Sequence, residues 1–385
     1  MKKFYLIITA ILLTGCTSSK KNTDTNSILF NKTQISSSIQ MDEYKTFVNG
    51  DKNRFSMVII PDSQSYLDFR SQQSLFVHYP INQYELYYRQ MEFIKNNSVK
   101  NGGEFSFAVH VGDHVDHRSW NMKEWKRAAE GLSIINNEIP FLTVIGNHDY
   151  DRWAKGHSPV GTKLYNKYFG PQTEFYKDKE WFGGASENGV NMYAYFNACG
   201  KKFLVIGLQL NPFEQDIKWA QEVIDSNKGL PTIIVTHSYL SGKKEDDNKS
   251  QNKFANAYPD IKEHKFSGKE IWESLISENN QIFLVICGHV SKEGLRIDKN
   301  NSGYTTYAIM ADYQDEDKYL EFAGIETKNV HACGDGWLKI LNFDLSKNTI
   351  AVKTYSTEFK RYKTDEGADL LLKIDWDWNK RFKSE

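Results

Sequence analysis

Five short loops in this chain carry side chains able to hold metal ions. They are Asp62-Ser63-Gln64, Gly112-Asp113-His114-Val115-Asp116, Gly146-Asn147-His148-Asp149, His237 after Thr236, and Gly288-His289-Val290-Ser291. Carboxylate, amide and imidazole groups together make the mixed oxygen and nitrogen set that suits Mn²⁺, Fe²⁺ or Zn²⁺. A carboxylate shared by two ions, here Asp113, would hold them ~3.5–4 Å apart, and such a pair lowers the pKa of a bridging water from ~15.7 to near 7. The resulting hydroxide can attack an electrophilic centre while a nearby imidazole protonates the departing group. No covalent enzyme intermediate is required.

Each loop follows an apolar run. Met57 to Pro61, Phe105 to Val111, Phe141 to Ile145, Phe203 to Leu210, Thr232 to Thr236 and Ile282 to Cys287 are rich in Val, Ile and Phe, which reads as strands buried on both faces. Helical stripes lie between them. Tyr84, Tyr87, Tyr88, Met91 and Ile94 form one; Trp125, Ala128, Ala129, Leu132 and Ile135 form another, opened by Asn121 with Glu124 as a capping box. Ile217, Ala220 and Ile224, then Ile271, Trp272 and Leu275, predict two more. The alternation predicts an α/β layered core, in which ligands gather beyond the carboxyl ends of the strands, so five loops can meet at one place. Tyr304 to Met310, Trp337 to Phe343, Thr349 to Tyr355 and Leu370 to Trp376 read as extra C-terminal strands without helices between them.

The ordered set D-x-Q, G-D-x-x-D, G-N-H-D, a lone His and G-H-x-S, spread over residues 57 to 291, resembles the calcineurin-like metallophosphoesterase superfamily. Secreted bacterial members are similar also at Ala311-Asp312-Tyr313-Gln314, Gly334-Asp335-Gly336-Trp337-Leu338 and Thr354-Tyr355-Ser356, so the resemblance spans roughly residues 55 to 375. It implies a layered α/β/β/α sandwich and two divalent metal ions acting on a phosphate ester, mono- or diester. It assigns Asp62 and Gln64 to the first metal, Asp113 to both, and Asn147, His237 and His289 to the second. It makes His148 the group that stabilises the phosphoryl oxygens and protonates the leaving group, with Asp149 as its orienting partner. One position departs from the family: the last His of G-H-x-H is Ser291 here, a far poorer ligand than imidazole. The first site is therefore expected to be weak, or to be completed by water or another side chain, with His114 and His117 near enough in sequence to reach in. A degenerate member that binds a phosphorylated ligand or partner without turnover is the competing expectation; an intact His148 and Asp149 favour the enzyme.

The chain has 385 residues, 40% hydrophobic and 14% aromatic, with 48 Lys and Arg against 49 Asp and Glu. Such a composition excludes a disordered chain. Near-neutral charge gives no nucleic-acid-binding signature, because counterion release needs a concentrated basic surface. Mean hydropathy of −0.58 with one apolar run excludes a polytopic membrane protein. That run, Phe4 to Leu13 behind Lys2 and Lys3, is too short to span a bilayer and reads as a signal. It ends in Leu13-Thr14-Gly15-Cys16, which resembles a lipobox with Cys16 as the acylated mature N-terminus. The expected organisation is a lipoprotein signal at 1–15, a Ser/Thr/Asn/Lys-rich tether at 16–52 and one catalytic domain at 53–385, exported and held to a membrane by the lipid. Cys287 reads as a buried thiol, and Cys199 with Cys333 leaves a disulfide open.

Plainer readings compete at several positions. Asp116 reads as a loop-fixing carboxylate ahead of a ligand, and His110, between Val109 and Val111, as a satisfied core histidine. His78, His157 and His264 read as surface residues. His331 does too, although it precedes Gly334-Asp335-Gly336, itself a tight turn before a strand. Asp312 and Gln314 suit strand capping as well as substrate contact. The aromatic-rich stretch from Tyr150 to Tyr195 reads as a cluster packed under a long loop, with a substrate lid as the alternative.

Overall fold

The computed structural model describes residues 51–67, 83–155, 158–259, 264–314, 334–365 and 367–383. Along the chain the strands are β1 (Arg54–Ile60), β2 (Phe105–His110), β3 (Phe141–Thr143), β4 (Arg152–Trp153), β5 (Pro159–Val160), β6 (Phe182–Ala185), β7 (Met192–Ala198), β8 (Lys201–Leu208) and β9 (Thr232–Thr236). Then come β10 (Leu240–Lys244), β11 (Asn252–Phe254), β12 (Ile282–Cys287), β13 (Glu293–Lys299), β14 (Thr305–Ala311), β15 (Trp337–Asp344), β16 (Thr349–Ser356), β17 (Arg361–Tyr362) and β18 (Asp369–Lys373). The helices are α1 (Gln64–Leu67), α2 (Tyr84–Asn96), α3 (Met122–Ile135), α4 (Lys163–Phe169), α5 (Glu214–Asp225) and α6 (Gly268–Ile271), the last running into a π turn at Trp272–Ile276.

Two seven-stranded sheets stack face to face. The first is ordered β17-β16-β15-β1-β2-β3, with β18 also on β16, and β1, β2 and β3 are parallel. The second is ordered β13-β14-β12-β9-β8-β7-β6, with β14, β12, β9 and β8 parallel. Phenylalanines fill the gap between them: Phe55 meets Phe196 and Phe203, Phe107 meets Phe196, and Phe283 meets Phe343. Outside the first sheet, α2 and α3 pack so closely that a Cβ on Gly131 would lie 2.2 Å from the Tyr87 ring. Outside the second, Ile217, Ala220 and Ile224 of α5 and Ile271 of α6 pack with Leu204, Ile206 and Ile234. The architecture is the expected α/β/β/α sandwich with extra C-terminal strands, and each parallel strand β1, β2, β3, β9 and β12 ends in one of the five candidate loops.

Some local expectations need correction. Asn121 caps α3 by accepting from the Lys123 amide, but Glu124 forms no capping box. Its buried carboxylate instead accepts from the Asp116 and His117 amides at 3.0 and 2.7 Å, so it holds the β2 loop. The stretch 150–195 is not one loop; it supplies β4, β5, α4, β6 and β7, and Tyr165, Phe169 and Tyr176 are buried in the core. Cys16, the signal and nearly all of the tether lie outside the described residues, as do Cys333, His78, His157 and His331. Cys287 is buried. Among the described residues no helix is long and apolar enough to cross a membrane.

Candidate metal centre

The loops approach one another more closely than side chains allow, and glycine is the reason they can. Gly112 has φ of +100°, and a Cβ there would lie 2.8 Å from both the Gly146 amide and His237 Nδ1. A Cβ on Gly146 would lie 2.2 Å from Asp113 Oδ1, and one on Gly288 would lie 2.3 Å from Asp62 Oδ1. Two non-glycine residues, Asp113 (φ +53°) and His289 (φ +74°), adopt the left-handed region. Such backbone costs of order 1 kcal/mol or more and collects at functional sites.

The donor atoms converge on His237 Nε2. Its Nδ1 donates to the Val111 carbonyl at 2.8 Å, which leaves the Nε2 lone pair facing inward. Asn147 Oδ1 lies 3.0 Å from Nε2, His289 Nδ1 3.1 Å, and Asp113 Oδ2 3.2 Å. Asp113, His237 and His289 have ligand atoms within 4.8 Å of one another. Lone pairs packed this tightly repel unless a proton or a cation sits among them. Burial opposes charge on His237, yet Asp113 raises its pKa, so a proton can occupy the place; burial and then His237 push His289 down to about 4. Burial would also raise Asp113, but His237 and His148 hold it below the usual carboxylate range. A divalent cation displaces that proton and satisfies all four groups, so the donor set fits a metal.

Asp62 and Gln64 form the other half. Asp62 is buried, accepts from the His289 amide at 3.2 Å, and its carboxyl is pushed well up by burial, then by Asp312 and Asp113. The Gln64 amide donates to the Asp113 carbonyl at 2.9 Å, and its buried Oε1 has no hydrogen-bond partner. Such an orphan costs about 1–3 kcal/mol. Crowded acids and an orphaned amide oxygen are what a hard cation relieves.

His148 stands at the rim, a quarter exposed. Its amide donates to Asp113 Oδ1 at 2.7 Å, while its Nδ1 donates to the Asp116 carbonyl at 2.8 Å and approaches Asp116 Oδ1 at 3.2 Å. Burial disfavours the imidazolium, but Asp113 and Asp116 outweigh it and raise the pKa to about 9. Nε2 is left to face the ligand.

The expected orienting role of Asp149 is corrected: that work falls to Asp116. The Asp149 carboxylate points under the loops, accepting from the amides of His114 (2.7 Å) and Gly146 (2.9 Å) and from His114 Nδ1 (3.0 Å). It thereby ties the β2 loop to the β3 loop. His114 and His117 do not join the ligand cluster. His114 is stacked between His110 and Phe169, and His117 Nδ1 donates to Glu124 at 2.8 Å. His110 is a satisfied core histidine: it accepts from the Gly112 amide, so its Nε2 donates to Ser63 Oγ at 3.0 Å. Ser291 lies partly exposed where the chain enters β13, and His264 is exposed beside Glu270.

Residues not singled out in the sequence complete the wall. Arg118 donates to the Asn147 carbonyl at 3.2 Å and lies 4.1 Å above the Trp153 ring. Trp153 meets Tyr258, and Tyr258 meets His289 edge-on. Arg118 stands two residues beyond Asp116, and Trp153 belongs to the aromatic-rich stretch for which a substrate lid is the alternative reading.

A family model described as calcineurin-like phosphoesterase matches residues 59–293, more than half of the chain. A curated Bacillus subtilis protein, the uncharacterized protein YvnB, is 24% identical over 318 residues. The match covers 80% of this chain but 20% of that protein, so the chain spans about a fifth of its curated relative's length. Among solved structures, a dimetal phosphatase from Danio rerio is similar with TM-score 0.46 and 13% identity, over 83% of this chain and 99% of that one. A putative 5'-nucleotidase from Staphylococcus aureus is similar with TM-score 0.41 and 11% identity, over 84% and 55%.

Proposed function

This chain belongs to the calcineurin-like phosphoesterase family, and on that premise we propose that it hydrolyses phosphate esters with two divalent metal ions. One observation carries the reading: Asn147, His289 and Asp113 close on His237 Nε2 within 3.0–3.2 Å. Asn147, His237, His289 and Asp113 would hold one cation, and Asp62, Gln64 and Asp113 the other. Cations held there would supply positive charge for the phosphoryl oxygens and a water acidified to a pKa near ~7. Asp113 spans both halves and, through the His148 amide, fixes the acid's backbone against the ligand cradle. Asp116 holds His148 by Nδ1, so the proton for the departing oxygen leaves from Nε2 and returns from solvent. Arg118, stacked on Trp153, places positive charge at the mouth, where an anionic ester would dock.

The substrate class extends no further than phosphate esters, mono- or diester. The lipobox at Cys16 and the short apolar run before it support export and lipid anchoring to a membrane. The purified chain, assayed on p-nitrophenyl phosphate and its bis ester, should turn over at least one with Mn²⁺ and neither with chelator. Tight phosphate binding without turnover of any ester would instead support the non-catalytic reading that Ser291 raises.

A further inference from the structure

We propose that Glu124 is a positioning residue for His148, acting through the peptide unit that joins Asp116 to His117. The inference rests on the reading above, in which His148 protonates the departing oxygen. That peptide is trans and planar, so its N–H and its carbonyl point in opposite directions and cannot turn independently. The His117 N–H donates to Glu124 Oε2 at 2.7 Å, and on the other side the Asp116 carbonyl accepts from His148 Nδ1 at 2.8 Å. One rigid plane therefore stands between the Glu124 carboxylate and the ring of the acid. A rotation that breaks one of these bonds breaks the other.

The rest of the carboxylate's bonds serve the same segment. Oε2 also accepts from the Asp116 N–H at 3.0 Å, and Oε1 accepts from His117 Nδ1 at 2.8 Å and from Asn121 Nδ2 at 2.9 Å. A glutamate at this place in the first turn would ordinarily serve its own helix by bonding the backbone N–H of Asn121. Glu124 turns instead toward the loop that faces the metal centre. It is wholly buried, whereas the side chains of Asp116 and His117 are 25% and 36% exposed. Hydrogen bonds from beneath, and not packing around them, thus set where their backbone lies. The next residue gives a second reason for such a clamp. Arg118 is left-handed, with φ of +50°, and the Trp125 indole N–H donates to its carbonyl at 2.7 Å. Backbone of that kind persists only where neighbours overdetermine it. Two adjacent side chains of α3 do so, Glu124 ahead of the left-handed residue and Trp125 at it.

Two substitutions at one position separate reach from charge. Glu124→Asp keeps the charge and shortens the side chain by a methylene; Glu124→Gln keeps the length and an acceptor oxygen for the two amides. Each full chain is assayed with Mn²⁺ on p-nitrophenyl phosphate and phenyl phosphate, or on their bis esters. Phenol is the poorer leaving group and leans harder on the acid. Glu124→Asp should lower kcat at least about tenfold on the phenyl ester and less than about threefold on the p-nitrophenyl ester, because a misplaced group can cost ~10²-fold. KM and metal content should not change. Glu124→Gln should recover the phenyl ester rate to within about threefold of wild type. In a His148→Ala background, Glu124→Asp should change kcat by less than about twofold. Equal losses on the two esters, a larger loss in Glu124→Gln than in Glu124→Asp, or a full further loss on His148→Ala would each overturn the proposal. A wild type that turns over neither ester would overturn the hydrolytic reading instead. The positioning is then read from crystal structures, where Glu124→Asp must displace the His148 ring from its wild-type place, and an unmoved ring overturns it.

Discussion

Around His237, two imidazoles, an amide and a carboxylate crowd within 3.0–3.2 Å, with a backbone carbonyl fixing the central ring. Around Asp62 the neighbours are acids, an amide oxygen lacks a partner, and the family's imidazole is a serine. The first half is convergent before any ion arrives, because a proton on His237 can offset the Asp113 carboxylate there. The second is electrostatically unfavourable until charge is supplied. On the proposed two-cation reading, preorganisation thus divides unevenly between the two halves that meet at Asp113. The His237 half should bind early and tightly, and the Asp62 half later, more loosely and with a preference for hard cations.

The strongest way to break this comparison is His237→Ala. It removes the atom on which the tight half converges, so metal analysis should show that ion gone and turnover lost with it; retention of two ions would show the two halves to be alike. His148→Ala should lower kcat by ~10²–10⁴ while both ions remain. If metal content falls as well, His148 belongs to the cradle and not to the rim. Asp116→Asn should move the same way by a smaller factor.

The looser half also depends on a brace between the sheets. Glu293 on β13 accepts from Lys339 of β15 at 3.1 Å and from the Tyr313 hydroxyl at 2.8 Å, and both members of the ion pair are almost wholly buried. Lys339→Met removes the stronger of the two lysine charges that act on that carboxylate and should cost about 3 kcal/mol in a chemical melt. Burial works to raise Glu293, but Lys339 and the Thr354 hydroxyl bring it below its usual value. Its contribution is therefore full above the unfolded value of ~4.3 and lost as pH falls through the lower folded value. The wild type should show that acid loss, and Lys339→Met should show a smaller one, since Thr354, Lys363 and Tyr313 still act on the carboxylate. The gentlest test is chelator titration of the two-ion protein, which should remove manganese in two steps separated by about tenfold or more. A single step would make the halves equal.

The five loops were legible because each is a local signature: an apolar β run, then Gly or Asp, then a ligand type. Those parts need only neighbours in sequence. Asp116 in place of Asp149 as the partner of His148 was not legible, since the carboxylates lie four residues after Gly112 and three after Gly146 and only the direction of each turn decides which faces the ring. Glu124 looked like a cap by spacing; the incoming β2 loop supplied better donors. Among the strands, β13 was missed because its polar edge sequence lacks an apolar run, and β7 because its aromatics obscured its alternation, which shows only in burial.

The strand that delivers Asp62 has parallel β2 on one side and antiparallel β15 on the other, and the Ser56 hydroxyl bonds to Asn342, 286 positions away. During synthesis, the Asn342 that bonds the second edge of β1 emerges 286 positions after Ser56. Pairing over so long a separation is slow, and an unpartnered β1 edge invites wrong partners meanwhile. The Asp62 loop is consequently fixed late, and metal loading should follow the docking of β15 onto β1.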